Sequence, residues 1–275
     1  MERTEIANLI ADRVRECASD IGASFRSGLT VQSAVIDDFL PGELAARLAE
    51  SFPPTSQMRE VKSVHEHKFT SKQLDAFDPM IREVTFAFQQ PQVVEAVGAA
   101  TGIRDLRGDP TLYAGGISAM AQGQFLLPHL DNSHDAERGA YRVLNLLYYV
   151  NPSWRQECGG NLELWDDGPT GKPREIVSSF NRLVIMATHK KSWHSVNEVK
   201  VPQVRKCVSN YYFSPRSWEG NEYFHVTSFR ARYGQGVRDL VLRTDNLLRA
   251  TIRHFAKRGV YKPDLYANGK DGGAN

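Results

Sequence analysis

The chain has 275 residues, of which 41% are hydrophobic and 24% charged, a composition that suits a globular protein with a large core. Its formal net charge of +2 is too small to argue for a nucleic-acid partner, and no apolar run approaches the ~20 residues that a membrane-spanning helix needs. The charged opening MERTEIANLIADRVRE lacks the apolar stretch of a secretory signal, and Cys17, Cys158 and Cys207 form neither a CxxC pair nor a zinc ladder, so reduced thiols in a cytoplasmic protein are expected.

In chain order, residues 3–20 predict an amphipathic helix with Ile6, Leu9, Ile10, Val14 and Cys17 on one face. Ala34–Ile36 predict a short strand, and Pro41 suits the first turn of a helix that Pro53 and Pro54 end. Residues 73–102 read as mostly helical, punctuated by Pro91 and Gly102. After about residue 110 the texture changes to short alternating runs between turn signals: LYAGGISAMA, QFLLPHL, YRVLNLLYYV, GNLELWD, EIVSS, RLVIMAT, HSVNEVK and RKCVSNYYF. Such a series predicts an antiparallel sandwich, jelly roll or barrel. From about residue 237 the pattern turns helical again until Gly259, and the tail YANGKDGGAN reads as frayed. The expected organisation is one α+β unit over 1–275: helical and strand support over 1–109, a β core over 110–215, and a helical extension over 216–275.

The stretch LPHLDNSHD places His129 and Asp131 two positions apart, on one face of a strand. His194, in SWHSV, supplies a third donor if its strand lies alongside. Two imidazoles and one carboxylate suit a non-haem Fe(II) facial triad with open positions, and zinc would accept the same set. The spacing alone is weak, because the chain holds eight histidines. His134 reads as a solvated loop residue, and His189, five residues before His194, has the wrong parity and reads as solvent-facing. Arg205 opens the strand RKCVSNYYF, and pointed into the barrel it would demand an anion. On YRVLNLLYYVN, alternation puts Val143, Asn145, Leu147 and Tyr149 on one face, which would leave a phenol and an amide in need of partners.

The ordered series HLDN, YRVLNLLYYVNPSW, GGNLELWD, NRLVIMAT, WHSV and RKCVSNYYF resembles the 2-oxoglutarate- and Fe(II)-dependent oxygenases of the prolyl-4-hydroxylase-like group, over roughly residues 110–214. VIDDFLPGELAARL upstream resembles the opening segment of the same group. The resemblance implies a double-stranded β-helix, a cupin-like jelly roll, flanked by N- and C-terminal helices. It implies that His129, Asp131 and His194 bind Fe(II), that Arg205 pairs with the distal carboxylate of 2-oxoglutarate, and that Tyr149 bonds the same carboxylate; Asn145 and Cys207 would line that co-substrate site. Two departures stand out. Cys207 occupies a position that is often Ser, and a thiol is the weaker donor; Met120 stands where a Tyr often contributes a contact.

The implied reaction consumes O₂ and 2-oxoglutarate, releases succinate and CO₂, and hydroxylates an unactivated C–H bond, with ascorbate as a supporting reductant. A carboxylate at position 131 favours hydroxylation over halogenation, since related halogenases carry a small residue there. The preferred substrate is a small molecule, an amino acid, saccharide or natural-product intermediate, contacted by Asn132, Tyr113 and Trp193, with Trp154 as a further lining candidate. A peptidyl-prolyl hydroxylase is the alternative, as is a cupin-like metal-binding protein that is not an oxygenase. No nucleic-acid or membrane partner is expected. The basic C-terminal part could cover the barrel or form a homodimer face, and His225, Arg230 and Arg232 suggest a substrate or anion contact.

Overall fold

In the computed structural model, residues 1–231 and 265–266 are described; the helical stretch and dimer face expected after residue 237, and Arg232, lie outside them. The N-terminal helices are α1 (Arg3–Glu16), α2 (Ala18–Phe25), α3 (Gly42–Ser51), α4 (Pro79–Ala87) and α5 (Pro91–Thr101). The single helix expected over 3–20 is thus two, broken at Cys17, whose N–H caps α1 by bonding back to Arg13 O at 3.2 Å. Local chemistry sets the other ends. Asp78 caps α4 by accepting from Met80 N at 2.8 Å, with Pro79 in the first turn. Gly102, left-handed at φ 78°, stops α5.

The strands are β1 (Ser33–Ile36), β2 (Arg59–Lys62), β3 (Glu66–Ser71), β4 (Gly116–Met120), β5 (Phe125–Leu130), β6 (Tyr141–Tyr149), β7 (Leu162–Leu164), β8 (Arg174–Ile176), β9 (Arg182–Ala187), β10 (His194–Val196), β11 (Arg205–Ser214) and β12 (Ser228–Phe229). They run antiparallel in the order β1-β9-β6-β11-β4-β3-β5-β10-β7-β8, with β2 on β3 and β12 on β5. The sheet curls into a jelly roll. β3 joins its two halves: Phe69–Ser71 pair with β4 while Glu66 and His67 pair with β5. The hairpin of β2 and β3 carries no apolar alternation (REVK and EHKFTS), so the periodicity that reveals the other strands is absent here.

The helices cover the outer face of the β1-β9-β6-β11-β4 half. Ile6, Ile10, Val14, Ile81, Val84 and Val97 share one core with Leu144, Leu146, Tyr148, Ile185, Val208 and Tyr212 from the strands. On β6 the even-numbered residues from 144 therefore face the helices, while Asn145 and Leu147 line the interior of the roll. The expected alternation fails at one point. β11 pairs Tyr212 with Leu144 but Phe213 with Arg142, so Val143 is an extra, bulged residue. Val143 joins the helix-side core instead of the interior face, and Arg142 turns inward in its place.

Candidate active site

The end of β5 and the start of β10 are in register, His129 opposite His194, and the two imidazole centroids lie 4.1 Å apart. Asp131 follows directly on β5, and one ligand atom from each of the three residues lies within 4.8 Å of the others. Each ring is oriented from behind by a backbone carbonyl: His129 Nδ1 sits 3.0 Å from Leu127 O and His194 Nδ1 2.9 Å from Ser192 O. A carbonyl can only accept, so Nδ1 carries a proton and Nε2 is the nitrogen turned toward the site. Burial, reinforced by His194, pushes the His129 imidazole down to about 3 against the pull of Asp131, so it stays neutral and able to ligate. Two imidazoles with Nε2 turned toward the site and one carboxylate fit a divalent metal with coordination positions to spare.

The Asp131 carboxylate is itself held. Burial works to raise its pKa, but Arg142, with the neighbouring histidines and Asn145, outweighs that and keeps it below the ordinary carboxylate range. Arg142 Nη1 lies 3.1 Å from Oδ1, and Asn145 donates to Oδ2 at 2.8 Å. Asn145, expected at the co-substrate, thus bonds the Asp131 carboxylate. Arg142 was not foreseen, because plain alternation puts it on the helix side and only the bulge reverses it.

At the other end of the same cavity lies Arg205, 3% exposed, with its Cζ 4.8 Å from the centroid of the Tyr149 ring. Its Nε donates to Gly160 O at 2.6 Å and to Ser178 Oγ at 3.0 Å. Nη1 meets only Met120 Sδ, at 3.8 Å, and among the described residues no carboxylate pairs with Arg205. The Tyr149 hydroxyl is buried beside Arg205 and Ser178 without a well-formed hydrogen bond. A buried guanidinium without a counter-charge and a buried phenol without a partner call for an anion with acceptor oxygens, and the distal carboxylate of 2-oxoglutarate fits. Met120, in place of the expected Tyr, packs with Trp154, Val196 and Val199. Cys207 lines the cavity, but its thiol lies 3.5 Å from Ser209 Oγ, and burial raises its pKa.

Gly160, in the GGNLELWD segment, makes room for this arginine. It adopts φ 64°, and a Cβ there would lie 2.8 Å from Arg205 Cδ. Sequence reading found the motif without its reason, which lies in the approach of β11.

The cavity between these ends measures about 410 Å³. Of the expected substrate contacts, Asn132 and Tyr113 line it. Trp193 does not: it lies outside the lining and spends its backbone N–H on Lys191 O. Nor does Trp154, whose indole donates to Gly159 O. From the segment after residue 222, Thr227 and Phe229 reach the cavity, rather than His225 or Arg230. Phe229 stacks on His129 at 5.4 Å. Glu66, Lys68 and Thr70 of the unforeseen β3 form another wall. His189 is buried, against expectation, because it bonds Thr30 O at 3.0 Å and stacks on Trp218. His134 is half-buried between Tyr141 and Phe224 instead of solvated.

Residues 115–214, which hold the triad, Tyr149 and Arg205, match the family model of the 2OG-Fe(II) oxygenase superfamily. Fe(II) and 2-oxoglutarate are the cofactor and co-substrate of that superfamily, and the His-Asp-His set within the matched segment fits such a metal. Among curated proteins, a 96-residue stretch is 33% identical to prolyl 3-hydroxylase OGFOD1 of Mus musculus; it spans 33% of this chain and 17% of the mouse protein. Among solved structures, a Pseudomonas putida prolyl-4-hydroxylase aligns with a TM-score of 0.54 at 16% identity, over 73% of this chain and 98% of its own. A prolyl 4-hydroxylase from Phytophthora capsici aligns with a TM-score of 0.52 at 17% identity, over 93% and 79% respectively. At such identities these two likenesses speak for the fold, which is the expected jelly roll. Among the described residues no helix is long and apolar enough to cross a membrane.

Proposed function

We propose that this protein is an Fe(II)- and 2-oxoglutarate-dependent dioxygenase that hydroxylates an unactivated C–H bond of a prolyl residue in a peptide or protein. The observation that carries the oxygenase reading is the pairing, across one cavity, of a His-Asp-His set with a buried arginine that has no carboxylate partner among the described residues. A zinc hydrolase on the same barrel would have no use for that second feature.

His129, Asp131 and His194 would hold the metal through two neutral imidazoles and one carboxylate. Bound there, Fe(II) with 2-oxoglutarate and O₂ supplies the oxidising chemistry that protein side chains lack. Arg205 would clamp the far carboxylate of 2-oxoglutarate, and Tyr149 would donate its hydroxyl to it. Asn145 holds Asp131, while the apolar side chains of Leu162, Val196 and Leu147 line the cavity and would keep water away from a bound co-substrate. The substrate would enter beside Tyr113, Asn132 and the β3 wall.

The prolyl assignment rests on the relative's name and the 96 residues shared with it; the small-molecule substrate favoured by the sequence finds no comparable support. The test adds Fe(II), 2-oxoglutarate and ascorbate to metal-free protein under air and measures succinate. A panel of proline-containing peptides and of free proline then follows, with mass spectrometry for a gain of one oxygen. Succinate formation that is lost in His129→Ala is expected. Its absence from the wild type, together with no Fe(II)-dependent binding of 2-oxoglutarate, would sink the oxygenase reading.

A further inference from the structure

Arg142 is 3% exposed, and a guanidinium so deeply buried needs compensation. Its surroundings are specific. Nη1 reaches Asp131 Oδ1 at 3.1 Å, Nη2 donates to Asn132 Oδ1 at 2.7 Å, and Cζ lies 4.5 Å from the centroid of the Tyr211 ring. Among the described residues Asp131 is the only carboxylate it pairs with. Its position depends on the β6 bulge: residues 144, 146 and 148 face the helices, so in an unbroken strand residue 142 would face them too. The bulge is not left unsatisfied, since Val143 O accepts from Thr188 N at 2.9 Å.

We propose that Arg142 is a positioning residue for the metal centre: its fork joins Asp131 and Asn132, the two residues that leave β5, and fixes the Asp131 carboxylate toward the two imidazoles. The inference rests on the metal-centre reading given above. Asn145 holds Oδ2 from one side and Arg142 holds Oδ1 from the other, so the carboxylate plane is set before any ion arrives. A second positive charge near the ion opposes its binding. Orientation prevails, because a buried carboxylate without this fork would turn toward its remaining partners, Asn145 and the imidazoles. Lysine at 142 would keep the charge but cannot span two acceptors as a planar fork does.

The test is titration of the metal-free, full-length protein with Co(II) alone, followed by visible absorption, on wild type, Arg142→Met and Arg142→Lys. Thermal unfolding of the metal-free proteins runs in parallel. Arg142→Met is expected to bind Co(II) about 10–100-fold more weakly, the usual effect of losing an outer partner of a ligand, with an altered spectrum. Arg142→Lys should fall between it and the wild type. If folded Arg142→Met binds Co(II) as tightly as the wild type with the same spectrum, the proposal is overturned. Should Arg142→Met fail to fold, Arg142→Lys carries the test, and wild-type affinity and spectrum in that variant overturn it equally. A wild type that binds no Co(II) would instead overturn the metal-centre reading itself.

Discussion

The two ends of the cavity treat their polar groups in opposite ways. At the histidine–aspartate end the atoms behind the triad already have protein partners: the two Nδ1 atoms face carbonyls, and both Asp131 oxygens are held, while farther out Arg142 Nε and Asn145 Oδ1 have none among the described residues. At the Arg205 end, among the described residues, the guanidinium has no carboxylate and the Tyr149 hydroxyl no good partner. On the proposed function, the difference follows from what each end would bind. A metal ion needs donors fixed in advance and lone pairs left bare, so the supporting bonds lie behind the ligands. A dicarboxylate brings its own charge and acceptors, so the protein leaves the matching donors open.

This contrast can be broken from either end. The largest effect is expected for His129→Ala or Asp131→Ala, which would remove a proposed metal ligand and should cut succinate formation by more than the roughly 100-fold upper range for outer partners. Co(II) titration beside the succinate assay checks that metal binding is what fails. Arg205→Ala comes next. It should raise KM for 2-oxoglutarate on the order of a hundredfold, as loss of a buried charged partner costs about 2–5 kcal/mol. Co(II) affinity should stay at the wild-type value, and a parallel loss there would mean that the two ends are not separable. Gly160→Ala should raise the same KM by roughly tenfold, since a side chain at φ 64° costs on the order of 1–2 kcal/mol and its Cβ would press on the Arg205 stem. Isothermal titration with 2-oxoglutarate would measure the shift. The smallest effect belongs to Tyr149→Phe, where one hydrogen bond of about 0.5–1.5 kcal/mol is removed from the complex. The protein without co-substrate should unfold at the same temperature as the wild type or higher, because the hydroxyl is unsatisfied there, while the upward shift given by 2-oxoglutarate shrinks. A lower midpoint without 2-oxoglutarate would show that the hydroxyl already serves the fold.

The anion end was the more legible in the sequence. Arg205 and Tyr149 sit on regular strands where alternation decides the face, and both line up as that pattern predicts. Asn145 was legible in direction but not in partner, since which group it meets depends on how far β5 extends. Arg142 was illegible, because its orientation comes from one extra residue whose presence is visible only against the neighbouring strand. His189 was misread for a similar reason: its burial comes from Thr30 and Trp218, which are remote in the chain.

By itself the sequence determined what is periodic or local. The helix caps and proline starts, the run of β strands after residue 110, and the faces of the regular stretches of β6 and β11 follow from side-chain spacing and backbone preference. Tertiary structure alone decided the charged β2–β3 hairpin as a cavity wall, the passage for Arg205 over Gly160, and the fork of Arg142 on Asp131. Each of these depends on the register and distance between strands far apart in the chain, and no pattern within one strand encodes the position of its partner.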